Sequence, residues 1–104
     1  MADYTLGELV PADLSAIWEY IALDDIDAAD RFLRAAEDMF NLLGQHPELG
    51  PVWRTKSPKL QGTRFIPIRS FEKFLVFYKP RAGGVDIYHV IHGSRDLPSL
   101  LDEP

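Results

Sequence analysis

At 104 residues, with 46% hydrophobic and 12% aromatic side chains, the chain has the length of one small domain over 1–104 and enough apolar material for a core, which excludes intrinsic disorder. It contains no cysteine, so disulfides and thiolate metal sites are excluded. The net charge of −5, the lack of any run of 18 apolar residues and the plain opening "MADYTLGELV" argue against a membrane span or signal peptide, and the expected location is the cytoplasm.

Tyr4 to Leu9 suggests a short first strand. Pro11 and Asp13 then suit the first turn of a helix, where a missing N–H is harmless and a carboxylate meets the positive end of the dipole. Leu14, Ile17, Trp18 and Ile21 repeat at i, i+3, i+4 and i+7, the apolar face of a helix that stops near Leu23. Asp24 or Asp25 can cap a second helix, in which Ala29, Phe32, Leu33, Ala36, Met39, Phe40 and Leu43 keep the same spacing. Pro47, Gly50 and Pro51 end it, and "HPELGPVWRTKSPKLQG" has no periodicity and reads as a loop.

Three strands follow over Arg64–Arg69, Phe74–Pro80 and Val85–His92, separated by "SFEK" and "PRAGG", lengths that suit hairpins. Pro67 cannot donate to a ladder and therefore predicts an edge position or a bulge. Asp96 can cap a short closing helix over "LPSLL". The predicted class is α+β: an N-terminal helical hairpin packed on one face of a three- or four-stranded antiparallel sheet, with a short C-terminal helix. The opposite sheet face is expected to stay uncovered and to offer a groove to a partner.

Charge is segregated along the chain. Residues 1–50 hold two arginines against eleven acids, whereas residues 51–81 hold eight bases against Glu72 alone. Such a basic stripe suits an acidic protein or phosphates. Metal binding is not expected, because His46, His89 and His92 form no helical pair and the last two, three apart on a strand, should face opposite ways. Gly83–Gly84 lacks the lysine and helix of a phosphate loop. RNA cleavage needs a base, an acid and cations, for which Arg64, Arg69, Arg81 and Arg95 with His92, Tyr78 or Glu72 are the available groups. Each also has a structural reading, and "HGSRD" is read as a hinge between the last strand and the closing helix.

The ordered fragments "PADLSAIWEYIA", "AADRFL", "HPELG", "LQGTRFIPI", "FLVFY" and "VIHGSRDL" resemble the ParE branch of the RelE/ParE toxin superfamily, over nearly the whole chain. The resemblance implies a bacterial type II toxin of the plasmid-stabilisation kind, paired with a ParD-like antitoxin whose C-terminal segment wraps it. RelE-like members cleave mRNA in the ribosome with clustered bases and a catalytic Tyr, His or Glu. ParE-like members lack that cluster and are associated with inhibition of DNA gyrase. The spread of Lys and Arg here is similar to the second pattern, which implies a protein-binding inhibitor with no catalytic residue, cofactor, metal, membrane or direct nucleic-acid contact. Arg54, Arg64, Arg69, Arg81 and Arg95 are then the candidates for binding target or antitoxin. The alternatives are an mRNA interferase using Arg64, Arg81, His92 and Arg95, and a degenerate toxin acting only in autoregulation.

Overall fold

The computed structural model describes residues 3–94, so the expected closing helix and the candidate Arg95 lie outside the described residues. Helix α1 runs over Val10–Ala22, with Pro11 in its first turn and Asp13 at its positive end. Helix α2 spans Ile26–Gln45, and of its two candidate caps it is Asp25 whose carboxylate accepts the Ala28 N–H at 3.0 Å. The apolar stripe from Ala29 to Leu43 is buried as its spacing predicts, except that Leu33 lies on the outer flank, 38% exposed.

Four strands form one sheet in the order β1-β4-β3-β2, with β1 at Tyr4–Leu6, β2 at Arg64–Ile68, β3 at Phe71–Arg81 and β4 at Gly84–His92. The last three are the expected antiparallel meander, while β1 joins β4 in parallel and makes the sheet mixed. That pairing needs a close backbone approach. A Cβ on Gly84 would collide with the Asp3 carbonyl, whose oxygen accepts the Val85 N–H at 3.2 Å. Arg81 reinforces it, donating to Asp86 at 2.9 Å, to Asp3 at 3.1 Å and to the Thr5 hydroxyl at 2.8 Å. Pro67 sits on the edge strand β2 beside a register shift, as a residue without an N–H must. The turn into β3 comes earlier than "SFEK" suggests, at Arg69–Ser70. Ser70 takes a left-handed φ of 73°, and its N–H is held by the Glu72 carboxylate at 2.8 Å.

The helical hairpin covers Phe74, Val76 and Tyr78 of β3 and Val85, Ile87 and Val90 of β4, with Phe32 packed edge-on to Phe71 and Phe74. The opposite face departs from expectation. The loop after α2 folds back across it, placing Trp53 and Leu60 over Phe65, Leu75, Phe77 and Ile91. Trp53 meets Phe65 and Phe77 edge-on at 5.6 and 5.4 Å. The loop lacks periodicity because it is anchored by single side chains rather than by a repeating face. Two enclosed polar atoms, Trp53 Nε1 and Thr63 Oγ1, find no hydrogen-bond partner among the described residues, so this second cover is bought at a polar cost. Trp53→Ala is expected to lower stability by about 3 kcal/mol in urea unfolding. A loss well under 1 kcal/mol would mean that the loop does not seal this face.

Candidate functional site

The described surface carries a groove where α1 meets the end of β4. Asp13, Ala16, Ile17 and Tyr20 form one wall of a groove of about 500 Å³, and Phe74 with His89 to His92 and Ser94 forms the other. The helical wall is itself an i, i+3, i+4, i+7 set, a second stripe beside the one that feeds the core. Asp13 does more than complement the helix dipole. Its Oδ2 accepts the Val90 N–H at 3.0 Å and lies 2.5 Å from His89 Nδ1, tying α1 to the sheet edge.

His89 and His92 line the same groove rather than opposite faces. The cause is a register shift: Phe77 pairs with His89 and Tyr78 with Ile87, so Tyr88 is an extra residue that upsets the simple alternation. The two rings nevertheless have separate partners. His92 Nδ1 accepts from the Ser94 N–H at 3.0 Å and lies 2.6 Å from the Ser94 hydroxyl, while the ring packs edge-on to Phe74. Because a backbone N–H points at Nδ1, that nitrogen is the acceptor, and Ser94 closes a local turn instead of forming a nucleophile relay.

Among the described residues, none of the candidate arginines lines this groove. Arg64, on β2, donates to the carbonyls of Gly50 at 2.7 Å and Glu48 at 3.3 Å, fixing the start of the covering loop. Arg81 is held by Asp86 and Asp3 near the opposite end of the β3–β4 ladder, where both carboxylates push its pKa further up. It lies seven positions along β3 from Phe74, the partner of His92, which is roughly 23 Å of strand. Arg69 sits at the β2–β3 turn beside Asp38 of α2, and Arg54 is exposed on the loop. Glu72 is exposed and engaged by Ser70. Tyr78 is fully buried, its hydroxyl accepting the Gly50 N–H at 2.8 Å. Burial raises its pKa above the ordinary 10.0, opposed only in part by that N–H and by the Arg64 charge. Sequence reasoning found His92 but missed Asp13, Ala16, Tyr20 and His89 as a site. Their helical and strand spacings were available, but nothing in the sequence shows which elements are neighbours.

The helical hairpin over a mixed four-stranded sheet defines a small α+β protein with a groove at one sheet edge. The chain belongs to the family described as "ParE toxin of type II toxin-antitoxin system, parDE", whose profile matches residues 4–97. A solved structure described as "Chromosomal ParDE TA system from P. aeruginosa" has the same fold, with a TM-score of 0.68 at 18% identity, covering 88% of this chain and 96% of that one. Among curated proteins none matches. No helix among the described residues is long and apolar enough to cross a membrane.

Substitutions at Tyr78 and Asp13 test these contacts. Tyr78→Phe is expected to lose about 1 kcal/mol or more at neutral pH by leaving the buried Gly50 N–H unpaired. A raised phenol pKa gives stability that is fully present below pH 10 and declines as pH rises beyond it, so thermal melts of the wild type should fall more steeply above pH 10 than those of Tyr78→Phe. Equal slopes would contradict the assignment. Asp13→Ala should cost about 1–3 kcal/mol in urea unfolding, and Asp13→Asn less, because an amide oxygen can still accept the Val90 N–H.

Proposed function

We propose that this chain is the toxin half of a toxin–antitoxin pair, that a ParD-like antitoxin neutralises it in the cytoplasm, and that it acts by binding and inhibiting DNA gyrase rather than by cutting RNA. The observation that carries this reading is the dispersal of the interferase candidates among the described residues. Arg64 and Arg81 are occupied by internal acceptors, Tyr78 is buried, and His92 is a strand's length away from Arg81. Phosphorane chemistry needs an acid, a base and cations within hydrogen-bond reach of one phosphate. The acidic total also weakens attraction to ribosomal RNA at physiological salt. The structure described as a ParDE system supports a partner protein, and membership of the ParE family supports gyrase as the target.

Purified protein is expected to block gyrase supercoiling while leaving ribosome-bound mRNA intact, and His92→Ala should retain toxicity in proportion to its folded fraction. Ribosome-dependent cleavage that His92→Ala abolishes without changing the melting temperature would overturn this reading in favour of the interferase. Inactivity in both assays, with no growth defect, would assign the chain to autoregulation alone.

A further inference from the structure

We infer that the tip of the helical hairpin, from Glu19 to Asp27, is the surface with which the chain engages the protein it inhibits, and that the matching site there is an apolar hollow rimmed by Lys and Arg. This rests on the inhibitor reading above and names the chemistry of the contact. The exposures carry it. Leu23, Tyr20 and Ile26 are the three most exposed large apolar side chains among the described residues, at 84%, 64% and 60%, and no other exceeds 53%. They gather in one place: Tyr20 and Leu23 lie one turn apart at the end of α1, and Ile26 opens α2. Isolated exposed leucines are ordinary, but an exposed apolar cluster marks an interaction site.

A loose turn does not account for the exposure. The Leu23 N–H donates to the Glu19 carbonyl at 3.2 Å, and the Asp24 and Asp25 N–H groups both donate to the Ile21 carbonyl, at 3.1 and 3.0 Å. Asp25 caps α2, and Asp30 accepts the Trp18 indole N–H at 3.0 Å, so the turn and the helices behind it are tied together. Side chains held outward on a bonded backbone lose little conformational freedom when a partner covers them.

The charges say what that partner carries. From Glu19 to Asp30 there are five acids and no base. Asp25 and Asp27 suit the positive end of α2. Glu19 and Asp24 do the reverse: both are exposed at the negative end of α1, where a cation is favoured, and neither is in an ion pair among the described residues. Exposed apolar side chains and carboxylates at the wrong end of a helix both work against the isolated fold, and such local conflicts are expected where a surface is kept for function. A negative rim repels phosphates, so nucleic acid and anionic lipid are poor occupants, whereas a protein surface with Lys and Arg around an apolar hollow complements the tip in charge and in shape.

The test compares Leu23→Ser, Ile26→Ser and a double variant, Glu19→Lys with Asp24→Lys, against the wild type, each as the full chain. Binding to purified DNA gyrase and growth arrest in a bacterial host are measured. Each variant should bind gyrase roughly tenfold more weakly and arrest growth less, and added salt should narrow the deficit of the charge variant. Melting temperatures should be unchanged in the serine variants, and unchanged or higher in the charge variant, because cations then stand at the negative end of α1. Val52→Ser, at an exposed position on the loop that covers the other sheet face, should change none of these. Wild-type binding and arrest in the tip variants would overturn the inference and leave the toxin–antitoxin reading intact. So would a selective loss of binding to the small protein encoded by the adjoining reading frame, which assigns the tip to the antitoxin, or self-association of the wild type that Leu23→Ser abolishes, which assigns it to a second copy. If the wild type arrests growth without binding gyrase, the named target fails alone, and loss of arrest in the tip variants still supports the tip as the contact surface. If the wild type does neither, the inhibitor reading fails and this inference with it.

Discussion

The fold depends on β3 having to be buried on both faces. Phe74, Val76 and Tyr78 point toward the helices, and Leu75 and Phe77 point the other way, with Val76, Phe77 and Tyr78 each fully enclosed. A strand of that composition needs two covers. The helical hairpin supplies one from a periodic stripe of side chains, and the loop before β2 supplies the other from Trp53 and Leu60. Tyr78 joins the two arrangements. Its ring belongs to the helical core, while its hydroxyl fixes Gly50, where the chain leaves α2 to begin its crossing. A Cβ at Gly50 would run into the Phe65 carbonyl, so the crossing can pass this close to β2 only with glycine there.

This explains why some of the architecture was legible in the sequence. Helices bury a face at a fixed period, and the α2 stripe from Ala29 to Leu43 predicts its own burial. Strands rich in Phe, Val and Ile, separated by short turns, predict their own pairing. The β1–β4 pairing had no such signal. Tyr4–Leu6 is three residues long, and its place depends on Gly84 and on an arginine nearly eighty positions away. The covering loop was unreadable for a related reason: two anchoring side chains in an aperiodic stretch look the same whether they are buried or exposed.

The candidate site was less legible than the fold, because sequence counts charges and not their partners. Five arginines were read as a surface for binding, yet Arg64 and Arg81 bind the chain's own carbonyls and carboxylates. Such groups position backbone and are poorly placed to meet a ligand as well. Asp13 was read as a helix-dipole residue, which is correct and incomplete. The same position one turn into α1 lets its carboxylate reach across to β4, and only the packing of α1 against the sheet reveals that second role.

Asp13 also shows how a β4 backbone donor is satisfied where β1 stops. Where β1 stops, the β4 backbone faces outward, and an uncovered donor beside an apolar trough would have to be solvated in a half-enclosed space. A carboxylate on the neighbouring helix satisfies the Val90 N–H without occupying the length of a strand. It therefore leaves room beside His92 where a complete β1 would have sealed the edge. A longer β1 would make a more stable sheet and abolish the groove. The short strand, the single carboxylate and the extra residue at Tyr88 together leave one stretch of β4 without a strand partner on its outer side among the described residues. A bare strand edge beside an apolar trough is an aggregation hazard, so the carboxylate that satisfies the Val90 N–H also reduces the number of unpaired backbone groups there.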